Sequence, residues 1–438
     1  MRATSLVAGL LLGLLSACAR GPEEPIFAGE PYLLVWAGDA DRQNADFLAV
    51  IDADPTSHSY GKVLRTYPVR SRGNEPHALT PVRNDGRVFG TALLTNRTFV
   101  FDLAKPVAAR LLHVDEAGAG RGLSAPSEAI TLPNGHVVVA CPDRMGYRGD
   151  PREVVAAAGG LVELDADGQF VREVSANDPE AQGLVIAPYG IALTANRLIT
   201  TSNGHGWSAT NRGERMPGIS VQIWRADELK LLKTVILEAG PRGEENLSPT
   251  SPRAAHRGPM LYVNTDGGGL YASDSVGTAY PAFRLVFDFG QGSLPGGAAV
   301  TPDDRFYVAA LSGTGRVASL DLGDPYAPKA VNNVKLDVGS GGHSGPHHLA
   351  MSADGTRVAV SGYTATVPGY TQDGDHRVSL VRLDPGTGRL RLDTAFRDEG
   401  TGAVGIDFNR ATWPHGATGP ARPAGLLFIA ELPPPKKD

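Results

Sequence analysis

The sequence of 438 residues lacks several features that mark common protein classes. It holds only two cysteines, too few for a fold stabilised by a disulfide framework. Its 41 Lys and Arg residues against 47 Asp and Glu residues give a net charge of −6, and long blocks of like charge are absent, so no nucleic-acid partner is expected. The 54 glycines and 33 prolines would interrupt long helices, which excludes a coiled coil or a helical bundle. With 42% hydrophobic and 20% charged residues, the chain can still bury a sizeable core.

The only long apolar run lies near the N-terminus, from Leu6 to Leu15, and leads into Ser16-Ala17-Cys18. It is too short to span a bilayer as a helix, and small residues precede the cysteine where a signal peptidase would cut. We therefore predict a bacterial lipoprotein signal over residues 1–17, a lipid on Cys18 that contacts the membrane, and a tether over residues 18–31. Ala19 offers no Asp signal for inner-membrane retention, so an outer-membrane anchor facing the periplasm is expected. An ordinary secretory signal is the alternative.

A phrase marked by proline recurs along the remaining chain. Each instance joins a proline corner to a short apolar strand, and its markers, spaced 46 to 62 residues apart, are Pro76, Pro126, Pro188, Pro249, Pro295 and Pro346. After the last marker, apolar strands at 349–351, 358–362, 378–383 and 390–392 are separated by turn sequences. Four antiparallel strands in a period of this length predict a propeller blade.

The two chain ends supply the strands that this pattern leaves over. Apolar runs at 32–36, 47–52 and 62–64 precede the first unit, and runs at 404–408 and 426–430 follow the last. Joining them in a composite blade closes the ring and leaves no exposed sheet edge. We therefore predict an all-β, seven-bladed β-propeller over residues 32–438, closed by a composite blade from the N- and C-terminal strands. A sandwich followed by a separate domain is the alternative.

Three stretches resemble the selenium-binding protein and methanethiol oxidase family. They are residues 47–63 followed by Glu75-Pro76-His77, residues 303–328, and residues 345–358. Their order matches that family, and the similarity runs from about residue 32 to the end of the chain. The resemblance implies a seven-bladed propeller in which copper, held by histidines near the central channel, serves to oxidise methanethiol.

The sequence departs from that family at the metal site. His77 matches the first histidine of a family pair, but Ala78 stands in place of the second. Residues 126–131 and 405–410 lack the histidines that the family carries there, and the family's Cys-Ser-Ser-Cys segment is absent. The family's copper site and its link to selenium are therefore not carried over, and copper or another transition metal stays a candidate cofactor.

The starts of the inner strands offer a different set of polar side chains. If all inner strands begin at one mouth of the channel, the residues that meet there are His77, Ser127, Tyr189, Ser251, His347 and His348. Because adjacent residues of a strand point in opposite directions, we expect only one of His347 and His348 to face the channel. The predicted metal ligands are His77, His347, His348 and Glu75, and the predicted ligand contacts are Tyr189, His205 and Asp407. The alternative is histidines that cap loops or bond to backbone carbonyls.

Three function classes follow from this pattern. The preferred one is a lipid-anchored envelope propeller that binds a small molecule or a metal at the channel mouth. The others are a copper-dependent oxidoreductase like methanethiol oxidase, and a non-catalytic scaffold for protein partners in the envelope. A site that includes a carboxylate disfavours copper(I), so we expect altered metal binding and little methanethiol oxidation.

Overall fold

A computed structural model describes residues 29–82, 85–116, 122–144, 158–181, 183–184, 186–194, 197–204, 217–336, 345–367 and 370–433. Within these ranges the only helical segments are two short 3-10 turns, Pro106–Ala108 and Pro179–Ala181. No helix there is long and apolar enough to cross a membrane. The predicted signal and Cys18 lie outside the described residues.

The strands account for nearly all regular structure. In chain order they are β1 (Tyr32–Asp39), β2 (Phe47–Asp52), β3 (Val63–Pro68), β4 (Pro76–Pro81), β5 (Arg87–Ala92), β6 (Arg97–Asp102), β7 (Arg110–Glu116), β8 (Leu123–Ser124), β9 (Ala129–Thr131), β10 (Val137–Cys141), β11 (Asp143–Arg144), β12 (Gly160–Leu164), β13 (Phe170–Ser175), β14 (Pro188–Thr194), β15 (Arg197–Gly204), β16 (Pro217–Arg225), β17 (Lys230–Ile236), β18 (Pro249–Ala254), β19 (Leu261–Thr265), β20 (Gly269–Ser273), β21 (Arg284–Asp288), β22 (Pro295–Val300), β23 (Phe306–Leu311), β24 (Arg316–Asp321), β25 (Lys329–Lys335), β26 (Leu349–Met351), β27 (Arg357–Ser361), β28 (Ala365–Val367), β29 (Tyr370–Gln372), β30 (Arg377–Leu383), β31 (Leu390–Leu392), β32 (Ile406–Asp407) and β33 (Ala421–Ile429).

These strands form seven antiparallel blades, which confirms the predicted propeller. Blade I is β3-β2-β1-β33, blade II is β4 to β7, blade III is β9, β10, β12 and β13, and blades IV, V and VI are β14 to β17, β18 to β21 and β22 to β25. Blade VII is β26, β27, β30 and β31, with β32 paired to β30. The innermost strands contact one another in the order β33, β4, β9, β14, β18, β22, β26 and back to β33, so the ring is closed.

The core lies between blades because alternate residues of a strand face opposite neighbours. In β1, Leu34 and Trp36 pack toward blade II, whereas Leu33 and Val35 pack toward blade VII. All four side chains are fully buried, which explains why this strand is an unbroken apolar run in the sequence. The Trp36 ring contacts Phe99 edge-on at 5.2 Å, and its indole N–H donates to the Thr91 carbonyl at 2.9 Å. This contact between blades I and II is thus satisfied in both shape and hydrogen bonding.

The composite blade closes the ring as predicted, but with one C-terminal strand instead of two. β33 pairs antiparallel with β1, placing Ile429 opposite Tyr32. The prediction that residues 404–408 belong to this blade was wrong, because Ile406 and Asp407 pair with β30 of blade VII. The strand β31 pairs only with residues 381–383 of β30, and β32 pairs with residues 377–378 on the part of that edge that β31 leaves free.

Blade VII is also tied to blade I by a buried arginine. Arg357 is 1% exposed, donates to the Ala53 carbonyl at 2.8 Å and lies 4.7 Å from the centre of the Phe428 ring. The end of the predicted tether lies along the same seam, since the Glu30 carboxylate accepts a hydrogen bond from the Ala353 amide at 2.8 Å. The propeller thus holds the chain from Glu30 onward.

Candidate functional site

The inner strands share a local irregularity where they begin. In β4, β14, β18 and β22 the register shifts directly after the marker proline, so two residues leave the regular ladder. The same shift occurs in β33 after Pro423, a seventh marker that the spacing analysis missed. A bulge of this kind re-aims side chains that strict alternation would point apart.

The residue before the proline is part of the same structure. It has a positive φ in five of the seven units: 59° at Glu75, 59° at Ala125, 52° at Ser248, 48° at Leu294 and 49° at Gly345. This left-handed conformation is uncommon for residues other than glycine. In each of these five units the residue with positive φ turns the chain just before the proline.

All seven inner strands line one cavity of about 310 Å³ in the central channel. That volume is at the lower end of the range usual for small-molecule sites. Its polar wall combines side chains from five blades: His77, Glu128, Tyr189, Arg253, His347 and His348. The inner strands therefore bring together residues that lie up to 271 positions apart in the sequence.

Three imidazole rings form the centre of this wall. The ring centres of His77 and His348 are 4.7 Å apart, those of His347 and His348 are 4.8 Å apart, and those of His77 and His347 are 6.2 Å apart. The prediction that only one of His347 and His348 faces the channel was wrong. Both precede β26 and both bond to Ser361 of β27, so two residues oppose one and alternation does not apply.

Tyr189 completes the cluster from blade IV. Its ring centre is 5.3 Å from that of His77, and its hydroxyl lies 3.4 Å from Nε2 of His347. Its backbone carbonyl accepts a hydrogen bond of 2.8 Å from the Ser127 hydroxyl. Ser127 therefore ties blade III to blade IV and serves the site by positioning Tyr189.

Burial keeps the imidazoles of His77 and His348 neutral. His77 is 2% exposed, and burial together with neighbouring His347 lowers its pKa to about 3. The pKa of His348 is also held well below its usual value, first by burial and then by His77 and His347. Neutral imidazole is the form that binds metals.

Two ring nitrogens in the cluster have no hydrogen-bond partner among the described residues. They are Nδ1 of His77 and Nε2 of His348. A buried polar atom without a partner costs about 1–3 kcal/mol, so its presence needs a cause. Both atoms fit a transition metal chemically, because imidazole nitrogen is a common ligand of copper and zinc.

The histidines do not converge as a complete metal site. No group of three His, Cys, Asp or Glu side chains among the described residues is arranged to hold an ion as it stands. Two orphaned nitrogens supply only part of a coordination shell, so His347, Glu128 or water must provide the remaining ligands. A metal would therefore bind with movement of at least one side chain.

Glu75 and Asp407 are not brought to the histidines. The Glu75 carboxylate accepts hydrogen bonds from Arg42 at 2.9 Å, from the Thr366 amide at 2.8 Å and from the Tyr363 hydroxyl, and it does not line the cavity. It holds the segment after β27 to blade II. Asp407 accepts from the Asn409 amide at 2.8 Å within blade VII. His205 lies outside the described residues.

Arg253 is a cavity residue that the sequence reasoning did not single out. It is the fourth residue after its marker Pro249, and Thr80 and Ile130 occupy the same position in blades II and III. This shared position after the marker proline could have identified Arg253 as a cavity residue from the sequence.

A glycine makes room for His347. A β-carbon at Gly296 would lie 2.6 Å from Nδ1 of His347, and one at Gly297 would lie 2.6 Å from its carbonyl oxygen. Both distances are shorter than van der Waals contact. The sequence Pro295-Gly296-Gly297 in blade VI therefore serves the position of a side chain in blade VII.

We expect Gly296→Ala to displace the His347 ring and to destabilise the protein by about 1–3 kcal/mol, as overpacking does. Urea denaturation measures the stability change. The matched control is Gly277→Ala, where a β-carbon meets nothing within 4 Å. Equal stability of the two variants would mean that His347 is not confined as described.

Comparison with known proteins agrees with this architecture. No protein-family model matches the chain. A methanethiol oxidase from Hyphomicrobium sp is 26% identical, with 75% of this chain and 74% of the relative covered. The structure of a hypothetical selenium-binding protein from Sulfolobus tokodaii matches with a TM-score of 0.71 at 17% identity, covering 92% of this chain and 94% of that one. A putative 6-phosphogluconolactonase from Bacteroides fragilis shares the fold more distantly, with a TM-score of 0.55, 11% identity and coverage of 92% and 99%. The chain is thus related in sequence to a methanethiol oxidase and similar in fold to a selenium-binding protein.

Proposed function

We propose that the central cavity binds a transition metal ion through His77 and His348, with His347 as an adjacent donor. The observation that carries this proposal is the pair of buried, neutral imidazole nitrogens without partners in one cavity. Metal coordination would supply the interaction that each nitrogen lacks. Copper and zinc suit such a donor set best, and copper is favoured when soft ligands are added.

The test is the metal content of the purified chain after incubation with copper or zinc and removal of excess ion. We expect close to stoichiometric metal in the unmodified protein and its loss in the double variant His77→Ala, His348→Ala. The matched control is His58→Ala, which changes an exposed histidine. Retention of metal by the double variant, with its fold intact, would contradict the proposal.

A second candidate function is oxidation of methanethiol. The 26% identical relative named methanethiol oxidase favours it. The site argues for a reduced activity, because the polar wall of the cavity includes a carboxylate, Glu128, beside the three histidines. Oxygen uptake by the copper-loaded protein on addition of methanethiol separates the two functions. We expect little uptake, and rapid copper-dependent uptake would make this second function the correct one.

We also propose that the chain is anchored to the outer membrane by a lipid on Cys18. The support is the apolar run and the small residues ahead of that cysteine. We expect Cys18→Ser to abolish labelling by a radioactive or clickable fatty acid and to release the protein from the membrane fraction. Retained label would contradict the anchor, and stable co-purification of an envelope protein would instead support a scaffold role.

A further inference from the structure

One arginine and one glutamate are the only charged side chains among the described residues that line the central cavity. Arg253 comes from β18 of blade V, and Glu128 lies just before β9 of blade III. Their side chains are 27% and 20% exposed, so both are largely removed from water. A cationic group in such a place interacts strongly with any anion that enters the cavity.

Backbone carbonyls hold the Arg253 guanidinium in place. Its Nε donates to the Ala298 carbonyl at 2.6 Å, and its Nη1 donates to the Pro252 carbonyl at 2.8 Å. A guanidinium has five N–H donors, and these contacts with the Glu128 contact use three of them. One N–H therefore remains on each terminal nitrogen, which is the fork that a carboxylate accepts in a bidentate manner.

Glu128 does not neutralise this arginine fully. The Nη2 to Oε1 distance is 3.5 Å, whereas charge-assisted hydrogen bonds are about 2.7–2.9 Å long. The other carboxylate oxygen of Glu128 accepts a hydrogen bond from the Ile191 amide at 3.2 Å. Arg253 can therefore donate hydrogen bonds to a second carboxylate, that of a ligand.

The backbone of Arg253 lies deeper along the channel strands than that of the histidines. His77 and His347 are the first residues after their marker prolines, whereas Arg253 is the fourth, a difference of roughly 7–10 Å along a strand. Apolar side chains line the wall between the two levels, including Ile191, Leu349 and Leu426. The wall of the cavity thus carries histidines at one strand level, apolar side chains at the next, and an arginine anchored beyond them.

We infer that the ligand of this cavity is a small carboxylic acid with a short apolar spacer and a soft donor, such as a thiol, at its other end. Arg253 binds the carboxylate and determines specificity, while the histidine end binds the donor through the metal. This inference rests on the proposed metal site for the donor end only. A one-carbon thiol would leave Arg253 and most of the 310 Å³ cavity unused.

The test compares the binding of 3-mercaptopropionate, 1-propanethiol and butyrate to the metal-loaded chain by calorimetry. We expect 3-mercaptopropionate to bind at least tenfold more tightly than 1-propanethiol. Arg253→Met should weaken 3-mercaptopropionate at least tenfold, the loss typical of a hydrogen bond to a charged group, and should change 1-propanethiol less than threefold. The matched control is Arg284→Met, an arginine of β21 that does not line the cavity.

A second variant protects the test against loss of folding in Arg253→Met. Glu128→Gln removes the competing carboxylate and should tighten 3-mercaptopropionate binding severalfold. Equal affinities of the two thiols for the unmodified chain, or no response to either variant in folded protein, would overturn the inference. Butyrate binding in metal-free protein separates the two ends, because it should depend on Arg253 even if no metal is bound.

Discussion

Deletion of residues 421–438 is expected to abolish cooperative folding of the whole propeller. This truncation removes β33, the inner strand of blade I, and leaves β1 as an unpaired edge toward the channel. It also removes the buried side chains of Leu426 and Phe428. Each such loss alone costs about 2–5 kcal/mol, and the sum approaches the total stability of a typical domain, about 5–15 kcal/mol. Circular dichroism during urea denaturation measures the result.

Two further chains make this experiment decisive. Deleting only residues 434–438 leaves β33 complete, so this shorter deletion is the matched control for loss of the chain end. A circular permutant that joins residue 433 to residue 29 through a short loop, with new ends in the segment between β31 and β32, should fold, because Ile429 already lies opposite Tyr32. Unfolding of the truncated chain at the same midpoint as the full chain would refute closure by β33.

The His77→Gln variant is expected to be less stable than the unmodified chain at neutral pH and more stable than it at acid pH. In metal-free protein His77 stays neutral down to a pKa of about 3, whereas the unfolded chain binds a proton near pH 6.5. Between these values the unfolded state binds more protons, so the unmodified chain loses about 1.4 kcal/mol per pH unit through this residue as the pH falls. The difference in unfolding free energy between the His77→Gln variant and the unmodified chain should therefore shift by about 3 kcal/mol in favour of the variant between pH 7.5 and pH 4.

The difference between variant and unmodified chain is the quantity to measure, because other groups act in the opposite direction. Burial raises the pKa of Asp46 and of Asp375 to about 6, which adds stability as the pH falls from 6 toward 3.8. These effects cancel when the two chains are compared by urea denaturation at each pH. The control is His58→Gln, which makes the same substitution at an exposed histidine. A stability difference for His77→Gln that does not vary with pH would mean that His77 is protonated as readily in the folded state as in the unfolded state.

The fold was predictable because its signals are local and repeated. The marker prolines and the Asp-Gly and Pro-Gly turns fixed blade boundaries that the strands follow, as with β27, β30 and β31. Composite closure followed from counting strands at the two ends. The place of residues 404–408 could not be predicted, because a short strand of this kind pairs wherever an edge is free, and β30 offers one.

The site was predictable in part. His77, Tyr189, His347 and His348 do line one cavity, since each is the first or second residue after a marker proline. Glu75 could not be separated from them by sequence, because its positive φ turns its carboxylate toward Arg42 and Tyr363 instead. Strict alternation misplaced the paired histidines because it takes no account of bulges.

The channel wall is modular, because each of the seven blades contributes one marker proline and the two residues after it. Each blade supports its own pair through its own ladder, so a substitution that does not press on the neighbouring blade, as one at Gly296 would, changes one sector of the wall. Some places are locked: a β-carbon at Gly190 would lie 1.9 Å from the Thr250 carbonyl oxygen, and one at Gly425 would lie 2.6 Å from that of His77. The unlocked places can be exchanged singly, so new ligand selectivity can be engineered, or can evolve, one blade at a time without rebuilding the scaffold.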